Sequence, residues 1–140
     1  MKPDGKKFIS TLLLLLGVAS LVTIYQMYNR PSPEPGGELY QQHCAACHGS
    51  EGHGLRELYP PLTDSPYLSE GLAEIPCLIR KGIKGNLATT DGSYNQRMPA
   101  FQQFTAAEIT ALMVYLQNRW GKAKPITSLK TVEQWLMSCP

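Results

Sequence analysis

The sequence predicts an all-α protein, a small helical domain behind one long apolar helix, and three observations predict it. Phe8 to Asn29 runs for 22 positions without a charged side chain. Thr105-Ala106-Ala107-Glu108 is a capping box, followed by Ile109, Leu112, Met113 and Leu116 at the spacing of one apolar helical stripe. Cys44-Ala45-Ala46-Cys47-His48 places two thiols on the same side of one helical turn, with an imidazole directly after them.

At 140 residues the chain has room for one small domain plus an appendage. Its formal charge of +2 resides wholly before residue 36, where Lys2, Lys6, Lys7 and Arg30 face Asp4 and Glu34. Residues 36–140 carry nine basic and nine acidic side chains. A neutral outer part gives nucleic acid nothing to bind.

Taken in order, residues 1–28 are a basic lead and an apolar run that, as a helix, is about 33 Å long, enough to cross a hydrocarbon core. A cleaved secretory signal also starts with lysines and an apolar stretch. The run leaves through bulky Leu21 to Tyr28, with no small-residue cleavage pattern, and Tyr25 and Tyr28 suit a headgroup region. An uncleaved single-pass anchor is therefore expected, its N-terminus cytoplasmic because the lysines precede the span. Residues 29–36 form a linker whose alternating Pro31, Pro33 and Pro35 favour an extended path.

A helix is expected from Glu38 into the thiol motif, with Leu39 and Tyr40 as its apolar contacts. The motif is the C-x-x-C-H pattern for covalent attachment of c-type haem: two sulfurs reach the two vinyl groups of one porphyrin, and His48 binds the iron from the proximal side. A zinc site would need two more ligands at comparable spacing, and only Cys77, Cys139, His43 and His53 remain. A thioredoxin-like dithiol would need a βαβ pattern, which is absent. Residues 49–61 read as a glycine-rich loop. Residues 65–83 read as helical, with Ile75, Leu78, Ile79 and Ile83 at helical spacing and Pro76 either in a first turn or at a kink. Residues 85–97 are turn-rich, with Asp91-Gly92 as a hairpin tip between two short arms. After the helix opened by Thr105 and ended by Gly121, residues 122–140 are an extension. Its helix is signalled by Thr131 and Gln134, with Val132, Trp135, Leu136 and Cys139 on one face.

With the haem motif, Met98-Pro99 and the capped helix in place, residues 37–121 resemble the class I c-type cytochromes. The resemblance implies a small all-α domain around one haem, with axial histidine and methionine. His48 matches the proximal ligand, and Met98, in a loop 50 residues later and before a proline, matches the distal one. Pro60 and Leu62 match the residues beyond the motif, where the proline carbonyl accepts a hydrogen bond from the histidine and fixes its ring. Gly37 and Tyr40 match the first helix, and Tyr115 the terminal helix that crosses it. Tyr94 and Asn95 could donate to a propionate or to the methionine sulfur, and Arg97 could pair with a propionate; a solvated turn is the competing reading. Met113 and Met137 read as packing residues, Met27 belongs to the anchor, and His43 and His53 are expected in solvent.

Residues 91–101 look like those of membrane-attached monohaem subunits found with terminal oxidases or quinol-oxidising complexes. The resemblance thus implies a one-electron carrier, not an enzyme, tethered on the outer face of a bacterial inner membrane. It would work with redox partner proteins and take no small-molecule substrate. A gas sensor or weak peroxidase with a labile Met98, or a mainly structural subunit, are the alternatives. The departure from the family is the extension. Outside the membrane, spare thiols are commonly oxidised, so Cys77 and Cys139 are expected to form a disulfide; the alternative is a buried Cys77 and a free Cys139.

Overall fold

The computed structural model describes residues 5–29, 34–89, 92–122 and 127–140. The basic lead before Gly5, linker residues 30–33 and the hairpin-tip residue Asp91 lie outside the described residues. The chain divides into two compact units, residues 1–32 and 33–140.

The first unit is one helix, α1 (Gly5–Tyr28). Its side chains from Phe8 onward are all exposed, although a helix that is apolar all round is one that a core or a membrane normally covers. Phe8–Tyr28 is long and apolar enough to cross a membrane.

The second unit is mostly helical. Its helices are α2 (Pro35–His43), α3 (Ala45–His48), α4 (Pro66–Ser69), α5 (Ile75–Lys81), α6 (Ala106–Trp120) and α7 (Leu129–Met137). Between α5 and α6, β1 (Leu87–Thr89) and β2 (Gly92–Tyr94) pair antiparallel, with Leu87 opposite Tyr94 and Thr89 opposite Gly92.

Local chemistry explains most boundaries. Helix α2 starts three residues earlier than Glu38, because Pro35 occupies its first turn, where a missing N–H costs nothing. The stretch expected as one helix over 65–83 is two, α4 and α5, with Gly71 in the interval. Pro76 stands in the first turn of α5, the position a proline tolerates, so α5 begins just before it. Helix α6 carries the full capping box: the Thr105 amide donates to Glu108 Oε2 at 2.7 Å, and the Glu108 amide donates to Thr105 Oγ1 at 3.2 Å. Helix α7 is capped one turn before Thr131, where Ser128 Oγ accepts from the Thr131 amide.

The core gathers Tyr40, Leu68, Ile75, Ile79, Phe104, Val132 and the α6 stripe of Ile109, Leu112, Met113 and Leu116. Helices α2 and α6 cross at Gly36, where a Cβ would collide with the Ala111 carbonyl and come within 2.8 Å of Tyr115 Cβ. Tyr40 lies wholly buried at this crossing, its ring 5.4 Å from Tyr115 and 5.1 Å from Trp120. Helix α7 packs on α5 and α6 through Val132, which is fully buried, and a disulfide joins Cys77 of α5 to Cys139. This is the pairing expected from the sequence.

Candidate functional site

Helices α2, α5 and α6, the loop after α3 and the hairpin enclose a cavity of about 390 Å³. Cys44, Cys47 and His48 line it from the α2–α3 corner. The corner arises because α2 stops at His43 and a new turn starts at once: the Cys47 and His48 amides donate to the Cys44 carbonyl at 3.1 and 2.9 Å. Both thiols are free, and neither is bonded to the other. Among the described residues, no three histidine, cysteine or acidic side chains cluster as a metal-binding group, so the zinc alternative has no ligand set.

His48 Nδ1 lies 2.9 Å from the Pro60 carbonyl oxygen. A carbonyl can only accept, so Nδ1 carries the proton and Nε2 is the nitrogen with a free lone pair. Burial lowers the His48 pKa and the Pro60 bond opposes that shift only in part, so the ring is neutral at neutral pH. Burial also pushes the Cys44 thiol up to about 11, with the neighbouring Cys47 adding to the shift. Tyr40 is raised chiefly by its burial, and its hydroxyl donates to the Gly49 carbonyl at 2.5 Å, tying α2 to the turn behind His48.

Pro60 and Leu62 line the cavity beside His48, and Met98 lines it from the strip that follows the hairpin. Tyr94, at 5% exposure, and Arg97 line it as well. Asn95 does not: successive side chains of an extended strand alternate, so the residue after buried Tyr94 faces solvent. His53 is exposed and apart from the cavity, as expected. His43 is exposed too, but it borders the cavity and meets Phe101 and Phe104 edge-on at 5.7 and 5.1 Å. Tyr40, Tyr67 and the β1 residues Leu87 and Thr89 complete walls that sequence reasoning had not assigned. For Tyr40 a signal existed, since it precedes Cys44 by one helical turn and so shares its face.

The donor set suits haem c: an apolar cavity receives two thiols, a neutral imidazole with Nε2 free, and a thioether. A mainly helical domain built around such a cavity is a class I c-type cytochrome domain. The chain belongs to the family described as cytochrome C oxidase, cbb3-type, subunit III, whose family model matches residues 31–116. It is 30% identical over 101 residues to cytochrome c-552 of Thermus thermophilus, covering 68% of this chain and 75% of that protein. It is 33% identical over 92 residues to the cbb3-type cytochrome c oxidase subunit CcoP of Azospirillum sp. (strain B510), 63% of this chain and 31% of the relative. It is 31% identical over 106 residues to the fructose dehydrogenase cytochrome subunit of Gluconobacter japonicus, 71% of this chain and 21% of the relative. The chain therefore spans only a minor part of the length of the last two.

Proposed function

We propose that this protein is a membrane-tethered one-electron carrier with a single covalent haem c, serving as a subunit of, or donor to, a respiratory complex. The observation that carries the reading is the convergence of Cys44, Cys47, His48 and Met98 on one cavity, with His48 oriented by the Pro60 carbonyl. In this reading Cys44 and Cys47 would fasten the group through thioethers, and His48 Nε2 and the Met98 thioether would hold its iron. Haem c, when bound, supplies an Fe(II)/Fe(III) couple. A Met98 ligand would favour the ferrous state, and His48 together with Met98 would leave no position open to substrate. Tyr94 and Arg97 would bond a propionate, a role supported by their both lining the cavity. Phe8–Tyr28 would anchor the chain with its N-terminus in the cytoplasm and the haem domain outside. Relatives named as oxidase and dehydrogenase subunits support a place within a larger redox assembly.

Met98→Ala tests the reading. The variant should lose the weak far-red absorption of sulfur-ligated ferric haem, and its potential should fall by roughly 0.1 V or more, within the ~0.8 V over which axial ligands set haem potentials. The reduced wild-type protein should resist carbon monoxide at neutral pH. Survival of the far-red band in the variant overturns the assignment of Met98.

A further inference from the structure

The backbone of the strip from Met98 to Phe104 is hydrogen-bonded to α5 and the two residues after it. Ile83 donates to the Met98 carbonyl at 3.0 Å, and the Met98 amide returns the bond to Ile83 at 3.1 Å. The Phe101 amide donates to the Ile79 carbonyl at 3.0 Å, and the Arg80 guanidinium donates to the Phe104 carbonyl at 3.0 Å. Arg80 Nε is buried without a partner among the described residues, so this anchor is kept despite an unsatisfied donor. Gly82 lets the strip approach. At φ +70° a Cβ there would lie 2.5 Å from the Met98 carbonyl oxygen and 2.8 Å from the Ala100 nitrogen.

The C-terminal extension is one of two elements that hold α5 in turn. Helix α5 has only two turns, too short to be stable alone. It is fixed by packing on α6 and α7 and by the covalent bond from Cys77 to Cys139. The path therefore runs without a gap from Cys139 through Cys77 and α5 to the backbone of Met98.

We propose that the Cys77–Cys139 disulfide is a positioning element for Met98: by clamping α7 onto α5, it holds the methionine strip closed against the cavity. The inference rests on the reading of Met98 as distal ligand. Helix α7 lies outside the part of the chain that resembles a minimal cytochrome, and this gives it a task in the redox site rather than only in stability. Opening the bond takes two electrons and two protons and yields two thiols. A dithiol reagent supplies both and is itself oxidised to a disulfide.

The test uses the full haem-loaded chain with imidazole as the probe, since imidazole binds ferric iron only when Met98 is displaced. Apparent affinity then scales with the fraction of molecules in which the strip is open. Cys77→Ser with Cys139→Ser should tighten imidazole binding about tenfold and weaken the far-red band at moderate temperature. Arg80→Leu, which leaves the disulfide intact but removes the Phe104 anchor, should act in the same direction. If the double variant does not fold, wild-type protein whose disulfide has been opened by the dithiol, alkylated and returned to the ferric state should show the same tightening, and no change there overturns the proposal. Gly36→Ala is the control, because it destabilises the domain at the α2–α6 crossing, against Ala111 and Tyr115, and lies on neither α5 nor the strip.

If the disulfide variant changes imidazole affinity no more than Gly36→Ala does at equal loss of global stability, its role is merely structural and the proposal fails. If wild type and Met98→Ala bind imidazole equally well, it is the assignment of Met98 that fails. The two failures are therefore distinguishable.

Discussion

The Pro60 carbonyl oxygen stands 2.9 Å from Nδ1 of His48, twelve residues away in sequence, and fixes which imidazole nitrogen can bind a metal. The reduced protein should accordingly show a slowly exchanging Nδ1–H resonance by NMR, with its partner nitrogen unprotonated. A protonated Nε2 in the haem-loaded protein would contradict the orientation.

The capping box of α6 should be felt in stability. Thr105→Ala removes an N-cap side chain, at a cost of about 1 kcal/mol, which for a domain of this size is a fall of roughly 4–8 °C in Tm. Differential scanning calorimetry on the haem-loaded chain measures it.

Glu108 adds a pH dependence. The Thr105 amide, and then the Thr105 hydroxyl, hold its carboxyl below the usual carboxylate range. A depressed folded pKa means that the unfolded chain binds the proton more readily. The stabilisation is thus present above the unfolded pKa and is lost as pH falls through the folded one. Glu108→Gln should flatten that acid limb of the stability curve while leaving its slope at neutral pH unchanged, as urea titrations across the acid range would show.

Gly36→Ala should destabilise by about 1–3 kcal/mol, as overpacking generally does, because the new methyl group meets the Ala111 carbonyl at the α2–α6 crossing. Gly36 lies one turn before Tyr40 on α2, whereas Cys44 lies one turn after it. The far-red band of the folded protein should therefore persist while the denaturant midpoint falls.

For the anchor, intact mass of the mature protein should include the residues of the 8–28 span plus one haem. A mass beginning near Arg30 would show cleavage and a soluble carrier.

Features written in adjacent residues were legible before any coordinates. The thiol–imidazole motif and the Thr105–Glu108 box depend on contacts within one helical turn, and Cys77–Cys139 followed from two thiols left over on helical faces. The boundaries of α4 and α5 were less legible, because apolar spacing continued through Gly71 while backbone geometry did not. Ser128 was passed over as the α7 cap because Thr131 offered the same chemistry one turn later. The Ile83–Met98 bridge was not legible at all. Backbone hydrogen bonds between residues fifteen apart depend on how α5 ends, and side-chain identity records that poorly.

The disulfide has a further consequence, for how the chain matures. It joins residues 62 apart, and the segment it closes contains Met98 but not His48, Cys44 or Cys47. On the function proposed above, one polypeptide makes opposite demands of its four thiols: Cys77 and Cys139 must be oxidised, whereas Cys44 and Cys47 must remain reduced until haem is attached. Four thiols allow three full pairings, and every one of them consumes the attachment cysteines, so only the single bond Cys77–Cys139 leaves both available. Maturation of this protein is therefore a sorting problem, in which Cys44 and Cys47 have to be kept reduced while Cys77 and Cys139 are oxidised.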